Sequence, residues 1–274
     1  MDRAELLAYG DANLAATLRH YARTTPGAHL EDDGRLLLVS TSTAWPGPYH
    51  NGAFRLDHAV DPSEVLLRAE GFFSGRCPAF CLWVAGHADG DLEQAARERG
   101  YASISEAGVP RMALDRPLAP GADEASDGIA LAEVVDDAGR RDYLAVTIEA
   151  YAGSFLPADA AAAQLASLDA VHAPGVRAVV AYDGAQPLAA AMTVMSERVA
   201  GIQLVGTVPA ARRRGLGERC TRWAVAAAFE LGAEAVVLEA SEDGDPLYRR
   251  MGFTEVSRYR FCLGPPRIMA AQPS

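Results

Sequence analysis

The stretch Ile202-Gln-Leu-Val-Gly-Thr-Val-Pro-Ala-Ala-Arg-Arg-Arg-Gly-Leu-Gly217, running directly into Glu218–Gly232, decides how this chain is read. An apolar strand leads to Pro209, then come three arginines, two closely spaced glycines and a helix. Leu216, Cys220, Trp223, Ala224, Ala227, Ala228 and Leu231 recur at steps of three and four, which makes one continuous apolar helix face. Gly232 stands where such a helix ends. The first turn of a helix exposes backbone N–H groups without intrahelical partners, and the aligned peptide dipoles add about half a positive charge there. Gly215 and Gly217 carry no Cβ to hold a ligand away, and Arg212, Arg213 and Arg214 supply donors suited to phosphate oxygens. Together these residues form a cradle for a pyrophosphate, with the Leu216 amide inside it. No Lys-Ser/Thr follows the glycines, which disfavours a nucleotide-hydrolysing loop, and the spacing is not the three-glycine dinucleotide fingerprint.

Outward from this stretch, the second half reads as a strand at 129–134, helices near 136–152 and 158–170, and strands at 176–182 and 188–195 joined through Asp183-Gly184. The strand 202–208, the helix 216–231, a strand at 235–240, a short helix at 246–251 and a strand at 253–263 complete it. The first half reads as a helix at 4–23, a strand at 35–42, a helix at 62–73, a strand at 79–85, a helix at 91–99 and a strand at 110–114. Between the halves, 116–127 is rich in Pro, Gly, Ala and acidic residues and reads as a linker. The expected division is 1–115, linker 116–127, and 128–274. Strands and helices do not alternate strictly, which argues for a mixed α/β sheet with helices on both faces rather than a doubly wound fold. Both halves end a helix in Gly-aromatic, Gly100-Tyr101 and Gly252-Phe253, which suggests a duplication.

Composition narrows the function. With 25 Lys and Arg against 36 Asp and Glu, the formal charge is −11, so a nucleic-acid partner through the arginine triplet is disfavoured. No segment approaches the ~20 unbroken apolar residues of a membrane span, and the N-terminus does not read as a signal peptide. Cys77, Cys81, Cys220 and Cys262 lack metal spacing and read as buried reduced thiols, and the six histidines look scattered. No metal is expected, and the cytoplasm is the expected compartment.

Downstream of the glycines lies Glu239-Ala-Ser-Glu-Asp-Gly-Asp-Pro-Leu-Tyr248-Arg-Arg-Met-Gly-Phe253. Arg212–Gly217 together with Tyr248–Phe253 resembles the Arg/Gln-x-x-Gly-x-Gly/Ala and Tyr-x-x-x-Gly-Phe motifs of the GNAT superfamily of acyl-CoA N-acyltransferases, over roughly residues 128–263. The resemblance implies a mostly antiparallel sheet flanked by helices, two such domains in tandem, and acetyl-CoA as co-substrate. It implies that backbone at Val205, Gly206 and Thr207 meets the thioester and pantetheine arm, and that Tyr248 protonates the departing thiolate. Ser241 stands where the family often has Asn, so its role in contacting pantetheine is open. Glu149, Tyr151 and Glu239 are base candidates by location alone. The first half lacks an Arg-x-x-Gly-x-Gly segment and reads as a degenerate copy, with Trp45, Tyr49, His50 and Asn51 as a contact loop. The implied activity is acetyl transfer to a primary amine of a small molecule or peptide by direct attack. The alternative is a non-catalytic acyl-CoA sensor. A homodimer is compatible with either.

Overall fold

The computed structural model describes residues 1–41, 43–104, 107–118, 128–153 and 156–264. Its N-terminal half runs α1 (Arg3–Thr24), β1 (His29–Asp32), β2 (Leu36–Ser40), β3 (Asn51–Arg55), α2 (Pro62–Phe73), β4 (Cys81–Ala85), α3 (Gly90–Glu98), β5 (Ala102–Ser103) and β6 (Val109–Leu114). The C-terminal half runs β7 (Ile129–Glu133), α4 (Asp137–Ala150), α5 (Ala158–Gln164), β8 (Val176–Asp183), β9 (Gln186–Ser196), β10 (Val199–Thr207), α6 (Leu216–Glu230), β11 (Ala235–Glu239), α7 (Asp245–Met251) and β12 (Thr254–Leu263). From α1 to α3 and from α4 to α7 the order of elements is closely alike, with α5 the addition in the second half. Residues 119–127 of the expected linker lie outside the described residues.

Local chemistry sets the helix starts. Asp2 and Glu5 form a reciprocal capping box on α1, and Asp61 caps α2 ahead of Pro62. The strands form one mixed sheet in the order β1-β2-β3-β4-β12-β6-β11-β10-β9-β8-β7. Its pairings are antiparallel except β3 with β4 and β10 with β11. The final strands are exchanged between the halves. β6 lies beside β11, β12 lies beside β4, and the two pair with each other at the centre.

Helix α1 also joins the halves. Leu14, Ala15 and Leu18 pack on Leu37, Val39, Phe54, Trp83 and Tyr259. The same helix sends the Asn13 amide into the β9–β10 hairpin, where it donates to the Val194 and Val199 carbonyls at 2.9 and 3.0 Å. Gly10 sits mid-helix, at a cost of roughly 0.5–1 kcal/mol relative to Ala. A Cβ there would stand 2.8 Å from the buried Arg111 guanidinium, so the glycine is what lets α1 close over that cation. α2 and α3 cover the opposite face of the N-terminal strands with Val65, Leu66, Phe73, Leu92 and Ala96.

Candidate active site

The sheet opens in the C-terminal half because its parallel strands separate. β10 and β11 pair only over Val199–Gly201 and Ala235–Val237. Beyond that, β10 stays with β9 as far as Thr207, and β11 stays with β6 as far as Glu239. A bulge lies between Gln203 and Gly206, where Leu204 takes φ 48°. Two tyrosines from the α4 side hold that bulge. Tyr143 donates its hydroxyl to the Leu204 carbonyl at 3.4 Å, and Tyr151 donates to the Val205 carbonyl at 2.9 Å. In a planar trans peptide the carbonyl and the following N–H point opposite ways, so the Val205 and Gly206 amides face away from these tyrosines. Gly206 is needed here for packing as well: a Cβ would stand 2.9 Å from the Ala150 methyl.

Past β10, the chain turns through Pro209–Arg214 into α6. Arg213 takes φ 67° and Gly215, the residue before the helix, takes φ 77°. No side chain caps α6, and its first backbone hydrogen bond runs from the Arg219 N–H to the Gly215 carbonyl at 3.1 Å, so the leading amides 216–218 are available at an exposed turn. The arginines are not equivalent. Arg212 braces the turn by donating to the Ala150 carbonyl at 3.1 Å, and Arg214 pairs with Asp183 at 3.0 Å. Arg213 is exposed. Leu216 is buried and anchors the helix, so only its backbone is suited to a ligand. Gly217 faces Thr207 Oγ1 and Leu247, which places the start of α6 beside the end of β10 and one residue from Tyr248.

Tyr248 lies on α7, 7% exposed, with its ring 5.7 Å from that of Phe253. Gly244 fits closely against its edge, since a Cβ there would meet Tyr248 Cε2 at 2.9 Å. Burial raises the Tyr248 pKa above its ordinary 10, so the phenol carries its proton at neutral pH. Burial, then the neighbouring Tyr248, does the same to Tyr151. Ser241 is exposed, and its hydroxyl accepts from the Gly244 N–H at 3.2 Å, shaping the loop into α7.

The base candidates separate clearly. Glu149 is exposed. Glu239 is bound by Arg111, its cross-strand partner, and receives the Tyr49 hydroxyl at 3.0 Å. Tyr151 is engaged with Val205. The contact loop of the N-terminal half meets this site: Trp45, like Tyr151 and Leu204, packs against the cluster of Leu156, Ala160 and Ala161, while Tyr49 reaches Glu239. Neither the Tyr143 and Tyr151 supports nor the Arg111–Glu239 pair was marked by a motif. Two helix tyrosines read as core, and the ion pair joins residues that meet only through the strand exchange.

The N-terminal half has a parallel pair too, β3 with β4, joined only at Gly52–Ala53 and Cys81–Leu82. At the end of β3 stands the fully buried Arg55, bonded to Asp89 and Asp91 and to the Val60 carbonyl. Side-chain ion pairs occupy this end, where the C-terminal half offers backbone.

Two predictions arise here. Gly215→Val places a Cβ into open space but forces a β-branched residue to φ 77°. The chain should stay folded and lose roughly 1–2 kcal/mol of stability, while affinity for CoA, read by calorimetry, falls at least about tenfold. Unchanged affinity would remove the turn from the binding site. His50 is buried, which lowers its pKa to about 4 against the smaller opposite pull of Asp159 and Gln164. Unfolded, the same ring titrates near ~6.5, so between these values the unfolded state binds more protons. The His50 contribution is full above about 6.5 and lost as pH falls toward 4, at most about 3 kcal/mol. Denaturant unfolding at pH 7 and pH 4.5 should show His50→Gln losing less stability on acidification than the parent. Equal losses would contradict it.

With this geometry in place, comparison with known proteins is informative. Residues 144–253 match the profile of the acetyltransferase (GNAT) family. Among solved structures, a GCN5-related N-acetyltransferase from Kribbella flavida aligns at TM-score 0.68 and 22% identity, covering 95% of this chain and 96% of that one. A GCN5-related N-acetyltransferase from Sphaerobacter thermophilus aligns at TM-score 0.61 and 16% identity, over 96% and 93%. A tandem GNAT protein from the clavulanic acid biosynthesis pathway aligns at TM-score 0.61 and 16% identity, over 92% and 89%. No curated protein sequence matches significantly. At these identities the structural likeness establishes the fold, a tandem mixed sheet.

Proposed function

We propose, from a chain whose residues 144–253 match the acetyltransferase (GNAT) family, that it transfers an acetyl group from acetyl-CoA to a primary amine of a small molecule or peptide. The observation that carries this reading is the continuity of the Arg212–Gly217 turn, exposed over 212–215, with the β10 bulge and Tyr248 through Thr207, Gly217 and Leu247. The uncapped amides of α6, with Arg213 beside them, hold the diphosphate. Backbone amides at the β10 bulge, near Val205–Thr207, polarise the thioester carbonyl as negative charge develops on it. The acceptor nitrogen attacks that carbon, the carbon–sulfur bond breaks, and the Tyr248 phenol delivers its proton to the thiolate. The proton released by the amine leaves through water, since Glu239 is already neutralised by Arg111 and Tyr151 is engaged with Val205.

The N-terminal half acts as a wall for the acceptor. Trp45 on the same Leu156 cluster as Leu204 and Tyr151 supports that role, and the ion pairs at Arg55 account for its not holding CoA itself. Cys81, Cys220 and Cys262, buried and outside any disulfide, support a reducing, cytoplasmic setting. Among the described residues no helix is long and apolar enough to cross a membrane. The test is thiol release from acetyl-CoA across a panel of primary amines. Amine-dependent release is the expected result. Tight acetyl-CoA binding with no release under any acceptor would instead favour a sensor.

A further inference from the structure

We propose that Asp11, His58 and His87 bind a divalent transition metal of the zinc class at the head of a cleft in the N-terminal half. The three residues are far apart in sequence, on α1, the β3–α2 loop and the β4–α3 loop. Folding brings one donor atom of each within 4.8 Å of the others. The His87 Nε2 lies 3.0 Å from Asp11 Oδ2, and the His58 Nε2 lies 3.8 Å from the same oxygen. Tetrahedral zinc with bonds of about 2.0–2.1 Å needs ligand atoms roughly 3.3 Å apart. The observed separations bracket that edge, so small side-chain rotations suffice.

The surroundings are those of a ligand set rather than of three surface side chains. His58 Nδ1 lies 2.8 Å from Asp89 Oδ1, and that carboxylate is itself held by Arg55 and by the Ala85 amide. A carboxylate so placed accepts the Nδ1 proton and turns the Nε2 lone pair toward Asp11. His87 Nδ1 lies 2.8 Å from Ser257 Oγ, which orients the second ring in the same way. The other oxygen of Asp11 is held by the Tyr259 hydroxyl and faces Arg111 at 3.4 Å. Oδ2 is therefore the atom directed at the two rings. Each of the three ligands thus has a partner on its far side, the arrangement that fixes metal-binding imidazoles and carboxylates.

Two imidazoles and one carboxylate leave a fourth position open. An open cleft of about 550 Å³ adjoins the cluster, lined on the α1 side by Leu7, Ala8, Ala12, Ala15 and Arg19 and across from it by Leu56. The open position thus faces a mostly apolar space, suited to water or to one donor atom of a small molecule. This site is separate from the acyl-transfer site and does not depend on it.

The test uses the full chain, treated with chelator and titrated with zinc alone by calorimetry, with cobalt(II) absorption reporting the geometry. One zinc per chain is expected, together with the visible bands of tetrahedral cobalt. His87→Ala and His58→Ala should each weaken binding at least about 100-fold, and Ser257→Ala, which touches no metal, about 10-fold or more. His29→Ala, on the exposed β1 and outside the three-residue cluster, should leave binding unchanged. Zinc binding that is absent from the parent chain, or equal in His87→Ala and the parent, would overturn the site. Should a histidine variant unfold, Ser257→Ala with unaltered affinity would overturn it equally.

Discussion

Arg111→Leu is expected to lower the stability of the chain by about 3–5 kcal/mol, because it removes one partner of a buried ionic cluster. Arg111 is 1% exposed, and its guanidinium donates to Glu239 at 2.9 Å, faces Asp11 at 3.4 Å and lies 4.6 Å from the Tyr259 ring centre. Burial opposes the charge on Arg111, but Tyr259, Glu239 and Asp11 outweigh it and hold the guanidinium protonated. Without it, Glu239 and Asp11 lose the one guanidinium that both face in the space enclosed by α1 and the sheet. Leucine fills part of the volume but offers neither a hydrogen-bond donor. Arg111 also stands opposite Glu239 where β6 of one half meets β11 of the other, so the loss falls on the seam between halves. Denaturant unfolding should show the shift. Adding Glu239→Gln to the Arg111→Leu chain should restore part of it, since one uncompensated charge is then removed. A loss below about 1 kcal/mol would mean that water already reaches the cluster.

That seam shows what was legible in the sequence. The glycine turn could be read because a diphosphate cradle is made of consecutive residues, and its chemistry lies in the backbone of Arg212–Gly217. Helices with regular apolar spacing were equally readable, α2 at Pro62–Phe73 to the residue. β3 was missed because Asn51 and Arg55 bound a strand that is buried throughout, and Asn-Gly reads as a turn. Its polar ends are satisfied by partners distant in sequence: Asn51 accepts from Ser40, and Arg55 donates to Asp89. β1 was missed because its exposed His-Leu-Glu-Asp carries no apolar alternation. The exchange of β6 and β12 leaves no local trace, since each strand has the same alternation whichever neighbour it joins. Histidines that look scattered along the chain converge for the same reason: loops at the ends of β3 and β4 meet beneath α1.

Tyr248→Phe is expected to reduce kcat at least about 100-fold while leaving CoA affinity within about twofold, the low end of what a positioned proton donor contributes. The substitution keeps the ring, so the contacts with Phe253 and Gly244 that seat α7 persist. It removes only the hydroxyl. Burial raises the phenol pKa, which on its own makes Tyr248 a weaker acid than a solvated tyrosine. The same burial acts on the leaving thiolate. A thiol of ordinary pKa ~8.5 has its anion destabilised in the same low-dielectric space, so the proton gains by moving to sulfur as the carbon–sulfur bond breaks. In free energy a 100-fold loss is about 2.7 kcal/mol, and it should fall on turnover because the proton moves only in the transition state. The effect should also shrink with acyl donors whose thiols are more acidic, since those anions depart without protonation. A kcat within threefold of the parent, on every donor, would leave the hydroxyl with no part in the reaction and return the ring to packing alone.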